Sequence, residues 1–284
     1  MVFLKGLLKR YPLLYQHARR LYTRLQVWRG MDYIPRTIVR GPLKGCVLYG
    51  RKRIVYTERF WAGSYECELL AFLQELTAAD AVVYDIGANI GYHTLLFAKC
   101  ACQGTVFAFE PLEEARRVLE RNLVGNNVRN VAVIGKAIAA QSGSVVMGRN
   151  LYCDQAAMAW ADDAHLTFTC DAVNIDDFIA AGHPAPTLLK IDVEGAEVDV
   201  LAGAAECLAK YRPLIVCEIH GHWAADQVFD LLHKAGYRLY NIEQDLREIN
   251  SAVEMPTRME EGHILAWHQQ GVQLPKSVVE RVSA

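Results

Sequence analysis

The segment VYDIGANIG, residues 83–91, decides the fold of this 284-residue chain. An apolar run over 81–86 predicts a buried strand, and a helical pattern begins near Tyr92. Between the two, Gly87 lets the backbone turn sharply and Gly91 lets the helix approach the sheet. In an open α/β sheet such a turn lies at the carboxyl ends of the strands, beside the point where ligands bind. The segment therefore predicts the start of a ligand-binding α/β domain.

Strand and helix patterns alternate after this turn, which predicts a parallel sheet with right-handed crossovers. Apolar runs predict strands at 81–86, 105–110, 131–135, 187–191 and 214–219, and helical spacing predicts helices at 66–76, 94–99, 112–123, 198–208 and 224–235. Residues 237–242 and 263–268 are expected to add antiparallel strands at one edge. The predicted fold class is α/β, a Rossmann-like, mostly parallel seven-stranded sheet with helices on both faces.

Two segments lie outside this alternation. Residues 3–28 have apolar residues at helical spacing, broken near Pro12, and predict an N-terminal helical appendage. The appendage continues as irregular structure with short predicted strands at 36–39, 46–49 and 53–56. Strand-like runs at 144–147 and 166–173 flank a loop and predict an inserted hairpin.

The first 60 residues also differ from the remainder in charge. They carry fourteen Lys and Arg against Asp32 and Glu58, a net charge of +12, so residues 61–284 carry −14 within an overall charge of −2. We predict a basic N-terminal appendage over 1–60 and one main domain over 61–284. The appendage either packs on the domain or makes peripheral contact with a membrane, and both alternatives stay open. A nucleic-acid partner is not expected, and the oligomeric state is left open.

Cysteine usage and hydropathy bear on the compartment. The eight cysteines are scattered without metal-ligand spacing, which is typical of reduced residues in a cytoplasmic protein. No apolar run approaches the length of a membrane span. We expect a cytoplasmic protein, with peripheral contact at the inner membrane face as the open alternative.

The glycine turn carries acidic residues that indicate its ligand. Asn89 stands where a dinucleotide fingerprint has its middle glycine, and Asp85 precedes the turn. A carboxylate at Asp85 would repel a pyrophosphate, but it suits the ammonium and sulfonium groups of S-adenosylmethionine. Glu110, followed by Pro111, ends the second strand about 20 residues after the turn, where an acid can accept both ribose hydroxyls. S-adenosylmethionine is therefore the expected cofactor, and an NAD-dependent oxidoreductase is the disfavoured alternative.

The third strand ends without an acid that could bind the adenine amino group. The sequence there reads Gly135-Lys136-Ala137. We expect backbone groups and apolar packing near Lys136 and Ala137 to hold the adenine.

Acidic and histidine side chains follow the fourth and fifth strands. Asp192 and Glu194 end the fourth, and Glu218 and His220 end the fifth. Parallel neighbours end at one edge, so these side chains are expected to converge at the transferable methyl group. His220 is the expected base, Asp192 is expected to orient the acceptor or the cofactor amine, and Glu197 either joins this site or caps the next helix. The four converging side chains could also hold a hard divalent cation, but no metal is expected.

Together these motifs resemble the FkbM family of methyltransferases over about residues 60–240. The matching stretches are FWAGSYE (60–66), YDIGANIGYHT (84–94), FEP (109–111), NIDDF (174–178) and KIDVEGAE (190–197). The resemblance implies a class I methyltransferase fold, use of S-adenosylmethionine, and O-methylation of a sugar, glycolipid or secondary-metabolite hydroxyl. It makes Asp85, Gly87, Asn89, Gly91 and Glu110 cofactor contacts and sets Asp192 and Glu194 by the reacting centre. Tyr65 and Glu66 match the segment that closes over the cofactor.

Departures from the family pattern concern the acceptor. Asn174-Ile175 stands where the family often has threonine and leucine, and the loop 150–165 is acidic and rich in alanine. A small-molecule or glycan acceptor is expected to contact that loop and the appendage. The methylated atom is left open between oxygen and nitrogen. A catalytically inactive scaffold that still binds S-adenosylmethionine is the other alternative.

Overall fold

The computed structural model describes residues 33–51, 55–149, 156–158, 167–256 and 262–283. Its strands are β1 Tyr33–Thr37, β2 Val47–Arg51, β3 Val82–Ile86, β4 Thr105–Phe109, β5 Val131–Ile134, β6 Ala137–Ile138, β7 Gly143–Arg149, β8 Ala156–Met158, β9 Thr167–Val173, β10 Leu188–Ile191, β11 Leu214–Glu218, β12 Arg238–Asn241, β13 Arg247–Ile249 and β14 His263–Trp267. Its helices are α1 Val55–Ala62, α2 Cys67–Leu76, α3 Tyr92–Cys100, α4 Glu113–Gly125, α5 Ile175–Ala180, α6 Glu197–Ala202, α7 Ala205–Lys210, α8 His222–Lys234 and α9 Lys276–Val282, with a 3-10 turn at Ala252–Glu254. The helices predicted over 3–28 lie outside the described residues.

The central sheet has the strand order β13-β12-β14-β11-β10-β3-β4-β5. The strands β11, β10, β3, β4 and β5 are parallel, and β14, β12 and β13 extend the sheet in antiparallel fashion. Successive residues Val83 and Tyr84 of β3 lie in different buried clusters, because helices cover both faces. The α/β, Rossmann-like fold class is therefore confirmed, including its two predicted antiparallel strands.

The predicted strand number is wrong by one. The eighth strand of the sheet is β13, whose residues are Arg247, Glu248 and Ile249. This sequence has two charged residues in three, so it lacks the apolar run that identified the other strands. Its pairing is supported by Arg238, whose guanidinium donates to both carboxylate oxygens of Glu248 on the neighbouring strand at 2.7 and 2.6 Å.

Two further predictions are corrected. The strand predicted at 53–56 is wrong because helix α1 begins at Val55. Trp61 near the end of α1 is buried, and its Nε1 donates to the carbonyl of Leu48 at 2.9 Å. The single helix predicted at 198–208 is two helices, α6 and α7. They separate at Gly203, where a Cβ would lie 2.3 Å from the carbonyl oxygen of Ala139.

The predicted inserted hairpin is confirmed. Strand β7 pairs with β9 in antiparallel fashion, and together with β6 and β8 they form a second sheet of order β6-β9-β7-β8. The loop between β7 and β9 is described only at β8. Strand β6 follows β5 of the central sheet almost directly and pairs with the end of β9. The hairpin is therefore connected to the carboxyl edge of the central sheet.

The β1–β2 hairpin packs on the central domain. The side-chain amide oxygens of Asn126, at the C-terminus of α4, and of Asn122 within it accept hydrogen bonds from the backbone N–H groups of Val47 and Tyr49 at 2.8 and 2.7 Å. Leu48 is buried in the same cluster as residues of α3 and α4. The domain boundary at residue 60 stays a prediction. None of the helices in the described ranges has the length and apolar character that a membrane crossing requires.

Candidate active site

The turn between β3 and α3 is built around three residues with positive φ. Gly87 has φ +83°, and a Cβ there would lie 1.8 Å from the carbonyl oxygen of Asp192. Asn89 has φ +48° and Gly91 has φ +86°, where a Cβ would lie 3.0 Å from Leu119 of α4. The turn is therefore packed tightly between the end of β10 and helix α4, and only glycine fits at its first bend.

Asp85 lies beneath this turn and is fully buried. Its Oδ2 accepts a hydrogen bond from the hydroxyl of Thr94 at 2.6 Å. Its Oδ1 is also buried and has no hydrogen-bond partner among the described residues. Such an oxygen is costly to bury unless a ligand or another group hydrogen-bonds to it.

Glu110 is held in place by the backbone. Its Oε2 accepts from the N–H of Asn89 and its Oε1 from the N–H of Leu112, both at 2.8 Å. Burial raises the pKa of Glu110 to about 7, against the opposing effects of these two N–H groups and of Arg116. Each carboxylate oxygen keeps a second lone pair, so Glu110 can still accept hydroxyl donors.

A cavity of about 740 Å³, open to solvent, lies along this carboxyl edge. Among the sequence-predicted site residues, its wall includes Gly87, Asn89, Glu110, Pro111, Ala137, Asp192 and Glu194. Val145 and Met147 of the inserted hairpin and Ile138 of β6 form its apolar end. Tyr65, Glu66, Asp85, Gly91, Glu218 and His220 are not part of the wall. The cavity therefore joins the glycine turn to the acidic residues after β10.

The predicted reacting residues do come together. His220 Nε2 lies 3.6 Å from Glu194 Oε2 and 3.5 Å from Glu218 Oε1, and its Nδ1 lies 2.6 Å from Glu197 Oε1. Asp192 Oδ2 accepts from Lys190 Nζ at 2.8 Å. Two ion-pair networks thus meet beside Asp192 and Glu194 of the cavity wall.

Asp192, Glu218 and His220 each offer a potential metal-ligand atom, and these atoms lie within 4.8 Å of one another. Asp192 is already paired with Lys190, and both nitrogens of His220 face carboxylates. The ion pairs of the cluster explain its compactness, so a cation is not needed to account for it.

The carboxylates around His220 change the pKa for which it was selected as the expected base. Burial alone would lower the pKa of His220, but the hydrogen bond with Glu197 and the charges of Glu218, Asp192 and Glu194 raise it to about 9. Burial and the neighbouring carboxylates raise the pKa of Glu194 to about 7. Glu194 also has φ +52°, a left-handed backbone conformation that residues other than glycine rarely adopt and that clusters at functional sites.

Tyr65 and Glu66 adjoin the cluster rather than the cavity wall. Glu66 has φ +44°, and its Oε2 lies 3.0 Å from His93 Nε2. Burial opposes ionisation of Glu66, yet the bond with His93 leaves its pKa below the ordinary value. Burial raises the pKa of Tyr65, and the charges of Glu66, Asp192 and Glu218 add to that rise. This segment therefore lies within reach of the reacting residues.

Sequence reasoning missed several residues of the site. His263 starts β14 opposite Glu218 of β11, and its Nδ1 lies 2.6 Å from Glu243 Oε1. Burial alone would lower the pKa of His263, but Glu218 and Glu243 raise it to about 10. Lys190 is buried within β10, and its only signal was a charged residue in an apolar strand. The antiparallel register that sets His263 beside Glu218 has no counterpart in the sequence pattern.

The α/β sheet, with its glycine turn at the carboxyl edge, has the class I methyltransferase fold. The family model for the methyltransferase FkbM domain matches residues 85–239, more than half of the chain. The chain therefore belongs to the FkbM methyltransferase family.

Three curated relatives are similar to parts of the chain. Hexuronic acid methyltransferase AglP of Haloferax volcanii is 28% identical over 171 residues, which are 60% of this chain and 69% of that protein. AMB antimetabolite synthetase AmbE of Pseudomonas aeruginosa is 34% identical over an alignment of 214 positions, and the match covers 58% of this chain but 10% of that protein. Methyltransferase 1 of Beauveria bassiana is 28% identical over an alignment of 145 positions, and the match covers 44% of this chain and 58% of that protein.

Among solved structures, the methyltransferase FkbM of Methylobacillus flagellatus aligns with a TM-score of 0.45 at 18% identity. The alignment covers 67% of this chain and 44% of that chain.

Proposed function

We propose that this FkbM methyltransferase takes its methyl group from S-adenosylmethionine and transfers it to a hydroxyl of a sugar, glycolipid or secondary metabolite. The observation that carries the proposal is Glu110, a buried carboxylate fixed by the N–H groups of Asn89 and Leu112 in the cavity wall. A carboxylate at the end of the second strand is well suited to the two hydroxyls of a ribose.

Other residues along the cavity and beneath the glycine turn fit the remaining parts of the cofactor. The unpartnered oxygen of Asp85 and the carboxylate of Asp192 suit its ammonium group, and the bend at Gly87 lets its backbone lie close to a ligand. The apolar end formed by Val145 and Met147 suits the adenine ring.

The cofactor would supply a methyl group that its sulfonium already activates for displacement. The protein would then hold the acceptor oxygen in line and remove its proton. His220 and Glu194 are the groups we propose for the proton, since Glu194 lines the cavity and its Oε2 lies 3.6 Å from Nε2 of His220. Glu218 and Asp192 would orient the acceptor through hydrogen bonds to its hydroxyls.

A hydroxyl-rich acceptor suits this acidic environment, because carboxylates accept hydrogen bonds from hydroxyl groups. The name of AglP, a hexuronic acid methyltransferase, supports a sugar acceptor. We propose that the acceptor also contacts the loop 150–165 and the basic N-terminal residues.

The experiment that tests the cofactor is calorimetric titration of the full chain with S-adenosylmethionine, with NAD as the control. We expect micromolar binding of S-adenosylmethionine and no response to NAD. Binding of NAD alone would contradict the proposal, because Asp85 would then face a pyrophosphate.

The third strand supplies no acid for the adenine amino group, but another part of the cavity wall does. Asp199 of α6 lines the cavity, and among the described residues its carboxylate has no hydrogen-bond or ion-pair partner. It lies one helical turn before Gly203, which contacts Ala139 at the adenine end. A carboxylate there can accept a hydrogen bond from the adenine amino group.

We therefore expect Asp199→Ala to remove discrimination between S-adenosylhomocysteine and its inosine counterpart, in which a carbonyl replaces the amino group. The unmodified chain should prefer the adenosine form by roughly tenfold, the effect of one hydrogen bond to a charged acceptor. Calorimetry of both ligands on both proteins gives the comparison, and Glu206→Gln on the exposed surface of α7 is the control. An unchanged preference in Asp199→Ala would show that other groups read the adenine.

A further inference from the structure

Glu197 is a buried acid that the proposed reaction has not yet used. It is fully buried at the first residue of α6. Its Oε1 accepts from the N–H of Gly195 at 3.0 Å and lies 2.6 Å from His220 Nδ1. Its Oε2 is buried without a hydrogen-bond partner among the described residues.

A helix cap does not explain this arrangement. The N-cap position of α6 is Ala196, and Glu197 bonds to the preceding loop rather than to an N–H of the helix. A fully buried carboxylate loses its hydration and needs a cationic or strongly donating partner. His220 supplies that partner through a short contact of 2.6 Å between Nδ1 and Oε1.

We propose that Glu197 is a positioning residue that keeps a proton on Nδ1 of His220 and thereby assigns Nε2 as the atom that receives the acceptor proton. This inference rests on the proposed function for the part that concerns the acceptor. A neutral imidazole carries one proton, so a donor at Nδ1 leaves the lone pair on Nε2. The carboxylate of Glu197 also stabilises the imidazolium that forms when the second proton arrives.

The surroundings of Nε2 agree with this assignment. Glu194 Oε2 and Glu218 Oε1 lie 3.6 and 3.5 Å from Nε2, which is beyond a strong hydrogen bond. The second oxygen of Glu218 is 3.6 Å from His263 Nε2, so that carboxylate is shared between two histidines. Nδ1 has the close partner, and Nε2 has the weaker ones, of which Glu194 lines the cavity.

The reaction balances with this assignment. The acceptor oxygen forms a bond to the methyl carbon, the bond between that carbon and sulfur breaks, and its electron pair stays on sulfur. The hydroxyl proton moves to Nε2 of His220. Four carboxylates face the ring and favour its protonation: Asp192 and Glu194 after β10, Glu218 on β11 and Glu197 on α6.

The test is nitrogen-15 NMR of the full chain with labelled histidine. The chain has nine histidines, and the His220 signals are assigned by their loss in His220→Asn. In the unmodified protein we expect the tautomer protonated at Nδ1 once the ring is neutral. In Glu197→Gln the amide oxygen can keep that tautomer but the charge is lost, so the pKa of His220 should fall by about one unit or more.

Two variants serve as comparisons. Glu197→Asp keeps the charge on a shorter side chain, so the pKa of His220 should lie between its values in Glu197→Gln and in the unmodified protein. Glu206→Gln makes the same chemical change as Glu197→Gln at an exposed site and should leave the pKa of His220 unchanged. An unchanged pKa of His220 in Glu197→Gln, or a neutral ring protonated at Nε2 in the unmodified protein, would overturn the proposal. If Glu197→Gln does not fold, Glu197→Asp decides alone, because a His220 pKa equal to that of the unmodified protein would overturn the proposal, and a lower one would support it.

Calorimetry of S-adenosylhomocysteine on the same proteins separates this inference from the proposed function. If the unmodified chain binds S-adenosylhomocysteine and the pKa of His220 is unchanged in Glu197→Gln, the cofactor proposal is supported and the role of Glu197 is contradicted. If the pKa of His220 falls in Glu197→Gln but the unmodified chain binds no S-adenosylhomocysteine, the role of Glu197 is supported and the cofactor proposal is contradicted.

Discussion

Replacing Glu110 with alanine is expected to weaken S-adenosylmethionine binding by roughly 100-fold or more, since two hydrogen bonds to a charged acceptor are lost at about 1.5–3 kcal/mol each. The substitution removes the proposed acceptor for both ribose hydroxyls. It also leaves the N–H groups of Asn89 and Leu112 without their partner, so the turn that borders the ligand loses its support. Calorimetric titration of the variant measures the loss.

Two further variants make the result specific. Glu113→Ala removes an exposed carboxylate three residues later, one that pairs with Arg117, and should leave the affinity unchanged. Glu110→Gln keeps the shape and one acceptor oxygen, so it should bind with intermediate affinity. Its amide NH2 would face one of the two backbone N–H groups that the carboxylate accepts, so its thermal unfolding should lie between that of Glu110→Ala and that of the unmodified chain. Binding by Glu110→Ala within threefold of the unmodified chain would mean that the ribose lies elsewhere.

The parts of the fold that the sequence predicted are those with local signals. The strands β3, β4, β5, β10 and β11 have apolar runs because both faces of the sheet are covered, and residues 87 and 91 are glycines because the turn between β3 and α3 requires positive φ. Strand β13 has no such run, since it pairs at the edge and gains its stability from neighbours such as Arg238. The break between α6 and α7 depends on the approach of Gly203 to Ala139, which are distant in sequence.

The candidate site divides in the same way. Asp192, Glu194, Glu218 and His220 could be predicted to meet because parallel strands end at one edge. The contact of Glu197 with His220 depends on the angle at which α6 leaves that edge, and short helical patterns do not encode it. The carboxylates around His220 also raise its pKa, so the unperturbed value used to select it as the base does not apply in the folded protein without cofactor. A bound sulfonium and ammonium would oppose that rise by like-charge repulsion.

Replacing Gly87 with alanine is expected to destabilise the fold by about 3 kcal/mol or more, from the cost of a left-handed conformation and of overpacking. A Cβ at this position would lie 1.8 Å from the carbonyl oxygen of Asp192, and that oxygen belongs to the backbone at the end of a buried strand. Neither side can move without opening the junction of β3 and β10, because Asp192 N donates to the carbonyl of Ile86 at 3.0 Å. Urea denaturation followed by circular dichroism measures the change.

Gly182→Ala separates the two causes. Gly182 also has a left-handed backbone, with φ +98°, but a Cβ there would meet nothing within 4 Å. Its replacement should therefore cost only the conformational part, about 1–2 kcal/mol. If Gly87→Ala unfolds at the same urea concentration as Gly182→Ala, the carbonyl of Asp192 can move aside, and the glycine would then be required for ligand approach rather than for folding. A larger loss in Gly87→Ala, with binding lost in proportion to unfolding, would make this junction the point on which both the sheet and the cofactor cavity depend.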